Sequence, residues 1–209
     1  MSLINSCSAG TQSYPHLLFV LDRPLVSDFF LLLQQGVALR CSIGCNIATF
    51  LRKELKAGEE TIKQIQSIIL DGKPVDDLDS ALIKDGSIIA LSAAMPGLVG
   101  ATLRRGGGYS SFRSGITYHE TGKTCGRGDG CVRIKIFNLL MAEMGPGLLQ
   151  RGVFLRSADF LDFTAGLSQD FWQGCIRITL DNNPVDVREL RDGAWLAGTD
   201  QVFLSVSSA

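Results

Sequence analysis

Two segments of the chain occur twice, in the same order and at nearly the same spacing. Residues 32–40 (LLQQGVALR) reappear as 148–156 (LLQRGVFLR), and residues 68–76 (IILDGKPVD) reappear as 178–186 (ITLDNNPVD). Two collinear matches of this quality indicate an internal duplication. The repeated unit is far longer than a solenoid repeat, so each copy is expected to be a domain of its own.

The bulk composition is that of a folded protein with two small domains. Of the 209 residues, 45% are hydrophobic and 20% are charged, and a chain of this length accommodates two domains of roughly 80 residues. The formal net charge is -1, which argues against general electrostatic binding to nucleic acid or to an anionic membrane. Neither is therefore expected as a partner.

The sequence carries no recognisable targeting signal. No apolar run approaches the roughly 18 residues that cross a bilayer, and residues 1–14 have neither a basic start nor a long apolar stretch, so no signal peptide is predicted. The six cysteines are Cys7, Cys41, Cys45, Cys125, Cys131 and Cys175. The reducing cytoplasm is the expected location, with most of them as thiols rather than disulfides.

The first copy predicts five strands and one helix in the order β-β-α-β-β-β. Strands are expected at 16–21, 37–41, 65–70, around Val75 and at 87–92. Asn46 is the expected cap of a helix over 47–55, whose apolar residues fall on one face. The pair Asp71-Gly72 predicts a tight turn after the third strand.

The second copy predicts the same order. Its strands are expected at 132–137, 153–156, 176–180 and 202–206. A helix capped by Ser157 or Asp159 is expected after the second strand and runs through Leu167. The pair Asn182-Asn183 takes the place of the turn in the first copy.

A glycine-rich stretch separates the two copies. Ordering glycine at this density is entropically unfavourable, so a flexible connection is expected. The predicted organisation is a flexible tail at 1–15, a first domain at 16–97, a glycine-rich linker at 98–131 and a second domain at 132–209.

The order of strands and helix resembles the β-grasp arrangement of ubiquitin-like proteins. Residues 66–77 (QSIILDGKPVDD) resemble the segment that follows the ubiquitin helix, and 87–91 (SIIAL) resemble its final strand. Residues 103–107 (LRRGG) resemble the Leu-Arg-Gly-Gly tail. The same fold includes the small sulfur carriers of thiamine and molybdopterin synthesis, which also end in Gly-Gly. The resemblance implies an α+β fold of two tandem ubiquitin-like β-grasp domains joined by the glycine-rich linker.

The tail-like sequence suggests one alternative function. Adenylation, thiocarboxylate formation and isopeptide transfer in these families need a terminal glycine carboxylate, whereas Gly107 is followed by many more residues. Under this alternative, the chain is a precursor of a ubiquitin-like modifier or sulfur carrier. The processing site consists of Arg104, Arg105, Gly106 and Gly107, with cleavage after Gly107. A flexible linker with two solvated arginines is the other interpretation.

The cysteines suggest a second alternative. Cys41 and Cys45 lie between a strand and a helix start, where a helix N-terminus lowers a thiol pKa, and Cys125 and Cys131 flank a glycine loop. Together they form a four-thiolate zinc constellation if the linker folds back. The other interpretation is that Cys41 and Cys45 are small buried thiols and that Cys125 and Cys131 flank a mobile glycine loop. On that interpretation no metal or cofactor is expected.

No catalytic constellation is predicted, and the chain is not expected to be an enzyme. The two histidines are His16, which begins a strand, and His119, which lies in the linker with no nucleophile tied to it by sequence. Gly122-Lys123-Thr124 lacks the earlier glycine that a phosphate loop needs.

The linker holds more basic than acidic residues. The basic ones are Arg104, Arg105, Arg113, Lys123 and Arg127. Such an excess suits the docking of an acidic partner, and a solvated loop is the alternative.

Five consecutive large apolar residues carry the functional prediction: Phe29, Phe30, Leu31, Leu32 and Leu33. A small β-grasp unit does not easily enclose all five, so some are expected to face the sister domain or another subunit. The alternative is that the core absorbs them all. The sequence therefore predicts a non-enzymatic interaction or assembly module, with an unidentified protein partner and a homo-oligomer as a further option.

Overall fold

The computed structural model describes residues 14–120 and 128–209. Over these residues the chain forms ten strands, which are, in chain order, β1 (His16–Leu21), β2 (Val37–Ile43), β3 (Ser67–Leu70), β4 (Lys73–Pro74), β5 (Ile88–Ser92), β6 (Gly128–Phe137), β7 (Val153–Arg156), β8 (Cys175–Leu180), β9 (Asn183–Pro184) and β10 (Gln201–Ser208). The expected tail at 1–15 lies almost entirely outside the described residues.

The same residues form eight α-helices, which are α1 (Phe30–Gln35), α2 (Ile47–Lys53), α3 (Glu59–Gln64), α4 (Gly97–Leu103), α5 (Leu139–Arg151), α6 (Ser157–Ala165), α7 (Gln169–Gln173) and α8 (Val187–Asp192). Short 3₁₀ turns lie at Arg23–Phe29, Ser110–Arg113 and Ala194–Leu196. Helices combined with sheets of mixed strand direction confirm the α+β class. Within the described ranges, no helix has both the length and the apolar run needed to cross a bilayer.

The described chain divides into two compact units. Unit 1 is Leu33–Gly145, and unit 2 combines residues 14–32 with Pro146–Ala209. These bounds differ from the expected domains at 16–97 and 132–209, because β1 lies in unit 2 and β6 lies in unit 1. The chain passes from one unit to the other within α1 and again within α5.

Unit 1 contains five strands in the order β4-β3-β5-β6-β2. β6 is antiparallel to β2 and parallel to β5, and β3 is antiparallel to both β5 and β4. Asn46 caps α2 as the sequence predicts, because its side-chain oxygen accepts a hydrogen bond from the Thr49 N–H at 2.9 Å. Ile47, Phe50 and Leu51 on α2 are fully buried, so the predicted apolar face of this helix packs into the core.

Unit 2 also contains five strands, in the order β7-β10-β1-β8-β9. β10 is antiparallel to β7 and parallel to β1, and β8 is antiparallel to both β1 and β9. An aromatic cluster fills its core: the Phe29 ring lies 5.2 Å from Phe19, 5.1 Å from Phe163 and 5.7 Å from Phe171, between centroids. Such edge-on and tilted contacts are the favourable geometries for aromatic pairs.

A turn with the same hydrogen bonds follows β3 in unit 1 and β8 in unit 2. Asp71 Oδ1 accepts from the Ile88 N–H at 2.7 Å, and the Asp71 N–H donates to the Ile88 carbonyl at 2.9 Å. Asp181 makes the same two bonds with His16, both at 2.8 Å. Asp71 and Asp181 each have a φ of 50°, a left-handed conformation that aspartate tolerates better than most residues. The repeated segment therefore fixes β5 in one unit and β1 in the other.

The glycine before β2 and its counterpart before β7 also serve the same role. Gly36 and Gly152 have φ values of 104° and 96°. A Cβ on Gly36 would lie 2.7 Å from Arg133 Nε on β6, and one on Gly152 would lie 2.2 Å from Phe203 Cζ on β10. Glycine is needed at both positions, and β6 beside β2 occupies the same place as β10 beside β7.

The predicted pairing of the first two strands of each copy is wrong. The β-grasp arrangement begins with a strand hairpin, so the resemblance implies that β1 pairs with β2 and that β6 pairs with β7. β1 instead lies between β10 and β8, and β6 lies between β5 and β2. Hydrophobic alternation predicts a strand and its buried face, but it carries no information about which strand lies alongside.

The glycine-rich stretch joins two neighbouring strands of unit 1 rather than two domains. Parallel neighbours cannot be joined by a tight turn and need a crossover of a dozen or more residues. The chain between β5 and β6 is that crossover, and within it α4 and the turn at Ser110–Arg113 are formed. The expected linker at 98–131 is thus folded in part, while residues 121–127 lie outside the described residues.

Candidate functional site

Large apolar side chains are exposed in one segment of unit 1, on α4 and in the turn that follows it. We define the apolar cap surface as Leu98, Val99, Tyr109, Phe112 and Ile116. Leu98 is 72% exposed and Phe112 is 79% exposed. The rings of Tyr109 and Phe112 stack with centroids 6.0 Å apart. Several large exposed apolar residues in one folded segment are typical of an interaction site.

Arg113 anchors the cap surface to the body of unit 1. Its side chain is 3% exposed and forms a two-pronged ion pair with Asp76, at 2.7 and 3.0 Å. The same guanidinium donates to the main-chain carbonyls of Thr102, at 2.6 Å, and Arg104, at 3.3 Å, and to the Thr117 hydroxyl at 2.9 Å. One buried cation therefore ties α4, the turn and the residues after it to the loop that follows β4.

The charge of Asp76 is stabilised by this arrangement. Partial burial alone raises the pKa of Asp76. The hydrogen bond from Arg113, a hydrogen bond from the Gly106 N–H at 3.2 Å, and the positive charges of Arg113 and Arg105 outweigh that effect. The pKa of Asp76 consequently lies below its ordinary value, and the carboxylate is ionised at neutral pH.

The segment also covers the outer strands of unit 1. The Arg105 N–H donates to the Gln66 carbonyl at 2.7 Å, and the Tyr118 N–H donates to the Pro74 carbonyl at 2.8 Å. Burial, and then a 2.7 Å hydrogen bond to Glu120, raise the pKa of Tyr118 to about 12. Covering a strand edge in this way removes a surface that otherwise pairs with other chains.

The proposed processing residues are built into this structure. Arg104 is exposed and Arg105 is half-buried. The Gly106 N–H donates to Asp76, and the Gly107 carbonyl accepts from the Ser110 N–H at 3.0 Å. The tail-like sequence is therefore part of a folded turn, and a protease would need to open the turn before it could cleave after Gly107.

The five apolar residues from Phe29 to Leu33 are divided between the core and the surface. Phe29, Leu32 and Leu33 are buried, and Phe30 is half-buried. Leu31 is 50% exposed. Only Phe30 and Leu31 of this group remain accessible to another chain, and their role in an interaction stays a prediction.

Of the four cysteines proposed as metal ligands, Cys41, Cys45 and Cys131 are described and Cys125 is not. Cys41 and Cys131 are buried on the neighbouring strands β2 and β6. Cys45 is half-buried, and its Sγ donates to the Ser42 carbonyl at 3.5 Å. Cys125 lies outside the described residues. Among the residues that are described, no three His, Cys, Asp or Glu side chains lie close enough to hold a metal ion, so the thiol-ligated site stays a prediction.

An open cavity of about 710 Å³ lies beside the loop between β2 and α2. Its charged lining residues are Lys53, Glu54, Asp79 and Asp129. Cys45 also lines the cavity, but none of the described lining residues is a histidine, so no thiol–imidazole pair is present there. Mixed charge without a paired nucleophile and base gives no assignable chemistry.

The histidine and the remaining cysteine of unit 2 have structural roles. His16 Nε2 lies 3.2 Å from Ser205 Oγ, but Asp181 binds the His16 main chain and not its ring. The Asp181 carboxylate therefore does not orient the imidazole, as the acidic member of a catalytic triad would. Burial raises the pKa of the Cys175 thiol to about 11, which makes it a poor nucleophile at neutral pH.

Sequence reasoning misjudged Arg113 and did not single out Asp76. The sequence groups Arg113 with solvated linker arginines that suit an acidic partner, whereas its side chain is buried and already paired. Its partner lies 37 positions away, and no local pattern connects an arginine in a glycine-rich stretch to a distant aspartate. The apolar residues near Arg113 are visible in the sequence, but only the fold shows that they are exposed and that Arg113 anchors the segment that carries them.

Comparison of the chain with protein-family models, with curated proteins and with solved structures finds no match in any of the three. An inference about function therefore depends on the geometry of the chain's own residues.

Proposed function

We propose that the chain is a non-enzymatic tandem β-grasp protein that serves as an interaction or assembly module, and that the apolar cap surface is its docking site. The cytoplasm is the proposed location, as the sequence predicts. The observation that carries the proposal is the exposure of large aliphatic and aromatic side chains on a segment fixed by a buried ion pair.

The strand pattern of the two units supports the β-grasp part of the proposal. Both units have the same pattern of strand directions. The pair β2–β6 in unit 1 and the pair β7–β10 in unit 2 are antiparallel, and the next strand, β5 or β1, is parallel to β6 or β10. The strand after that, β3 or β8, is again antiparallel to its neighbour. In each unit a helix directly follows the repeated second strand or begins within a few residues of its end. A duplication is supported by the equivalent turns at Asp71 and Asp181 and by the equivalent glycines Gly36 and Gly152. In this duplication the first strand of each copy is exchanged: β1 of the first copy lies in unit 2, and β6 of the second copy lies in unit 1.

The docking part of the proposal is supported by the energetics of the cap surface. Exposed apolar area of this kind gains about 25 cal/mol per Å² when it is covered. Because Arg113 and Asp76 already hold the segment in place, little further ordering is required when a partner binds. Aromatic residues such as Tyr109 are also enriched among the residues that dominate protein interfaces.

The test is site-specific photocrosslinking of the full chain in its native cells. A photoreactive amino acid at Phe112 is expected to give one discrete adduct, because this side chain lies in the docking site. The Leu98→Ser change should abolish that adduct. The same probe at Lys63, which is 70% exposed in unit 1, is the control. No adduct at Phe112, or the same adducts at both positions, would remove the proposal.

The geometry gives less support to the processed-modifier alternative. Cleavage after Gly107 leaves β1 on one fragment and its neighbours β8 and β10 on the other, and it separates β2 and β5 from β6 in the same way. Strand ladders then keep the fragments together, whereas a modifier must be released.

A further inference from the structure

The charged side chains within the segment that carries the apolar cap surface are all basic. From Ser87 to His119 the sequence contains no aspartate or glutamate, and its charged residues are Arg104, Arg105 and Arg113. Arg113 is neutralised by Asp76. Arg104 is exposed, and Arg105 is half-buried, so these two supply a positive rim beside the exposed apolar side chains.

A second copy of the chain does not suit this surface. In a two-fold symmetric dimer the same patch meets itself, so Arg104 and Arg105 of each copy would meet a segment that, from Ser87 to His119, contains no carboxylate to pair with them. Like charges brought together at an interface are costly. A symmetric homodimer through this surface is thus disfavoured by its own rim.

A lipid bilayer suits the surface less well than a protein does. Electrostatic attachment to anionic membranes typically uses clusters of about four to eight basic residues, whereas the segment from Ser87 to His119 has Arg104 and Arg105 besides the paired Arg113. The charged residues of the segment are all arginine, with no lysine, and arginine together with aromatic residues is enriched in protein interfaces where lysine is depleted.

We propose that the partner of the apolar cap surface is a protein segment that combines carboxylates with aliphatic or aromatic side chains. The apolar side chains of the partner cover Leu98, Phe112 and Ile116, and its carboxylates lie against Arg104 and Arg105. This inference rests on the proposed function, because it names the chemistry of the partner at the same site.

The experiment is a selection from a displayed library of random peptides against the full chain, followed by affinity measurements on the enriched peptides. The selected peptides are expected to be rich in aspartate or glutamate next to large apolar residues. Arg104→Glu is expected to lower their affinity by about tenfold or more, because it places a carboxylate where the carboxylates of the peptide should lie. A tenfold change corresponds to roughly 1.4 kcal/mol. The combined change Leu98→Ser and Phe112→Ser should abolish binding.

The matched control is Ile176→Ser. Ile176 is 57% exposed and lies on β8 of unit 2, so this change should leave affinity unaltered, and circular dichroism checks the fold of every variant. Enriched peptides without an acidic bias, or an undiminished affinity in Arg104→Glu, would overturn the inference while leaving a docking site in place. No enrichment at all would remove both proposals. Binding to vesicles of phosphatidylcholine and phosphatidylserine that requires Phe112 would replace the protein partner with a membrane.

Discussion

At the scale of single residues, the ion pair between Asp76 and Arg113 is expected to control the stability of unit 1 and its dependence on pH. Asp76→Asn leaves the Arg113 charge buried without a counter-charge, and removing one partner of a buried pair is strongly destabilising. Because the Asp76 side chain is 35% exposed, solvent offsets part of that loss, and we expect the free energy of unfolding to fall by about 2 kcal/mol at pH 7. Denaturant unfolding measures the change.

The pH dependence of that contribution follows from the lowered pKa of Asp76. A carboxylate whose folded pKa lies below its unfolded value of about 3.9 contributes stability above that value, and the contribution is lost as pH falls through the folded pKa. The wild-type chain should therefore lose more stability than Asp76→Asn between neutral pH and the acid range. Glu60→Gln is the control, because the Glu60–Lys63 pair is largely exposed and such pairs contribute little. Parallel pH profiles for wild type and Asp76→Asn would contradict the assignment.

Residue-scale features can be predicted from sequence only where their partners are local. Asn46 is identifiable as a cap because it binds the N–H of Thr49, three positions on. The turn at Asp71-Gly72 is identifiable from its residue types alone. The role of Arg113 is not, because the partner that pairs with it is far away in the sequence and the intervening glycines give no pattern.

At the scale of elements, β1 is expected to stabilise the strands of unit 2. It is not expected to stabilise β2, which belongs to unit 1. Phe19 on β1 is fully buried and its ring contacts Phe29, Phe171 and Trp172. Phe19→Ala removes that packing and should cost about 3 to 5 kcal/mol. Hydrogen exchange measured by mass spectrometry should show the loss of protection in β8 and β10, the neighbours of β1 in the sheet.

The matched variant for that experiment is Ile134→Ala. Ile134 is fully buried on β6, and its loss should reduce protection in β2 and β5 instead. If Phe19→Ala lowers protection first in β2, the hairpin predicted from sequence is correct and the pairing of β1 with β8 and β10 is wrong. The existence of β1 and β6 can be predicted from alternation. Their neighbours cannot, because strand pairing is decided by contacts distant in sequence.

At the scale of the whole molecule, the position of β1 and β6 changes the meaning of the glycine-rich stretch. The two pairs of repeats predict a duplication, and the strand and helix patterns within each copy predict the α+β content. They predict separable domains joined by a linker only if each copy keeps its own first strand. In the folded chain the stretch is a crossover between β5 and β6, and the connections between the units run through α1 and α5.

Cutting the chain in the glycine-rich stretch therefore should not separate it into two parts. A specific protease site inserted between Gly107 and Gly108 yields one fragment with β1 to β5 and another with β6 to β10. Ladders inside the two units join the fragments: β1 with β8, β1 with β10, β2 with β6, and β5 with β6. Gel filtration of the cut protein in native buffer should give a single peak at the position of the uncut chain, with release only in denaturant.

The same cut in a chain carrying both Phe19→Ala and Ile134→Ala is expected to release the fragments more readily, because it weakens the packing of both exchanged strands. The uncut chain with the inserted site controls for the insertion itself. Separation of the wild-type fragments in native buffer would restore the arrangement of two domains on a flexible linker, and with it the processed-modifier alternative. A single peak would mean that cleavage after Gly107 cannot by itself release a carrier, because each fragment retains an interior strand of the other's sheet.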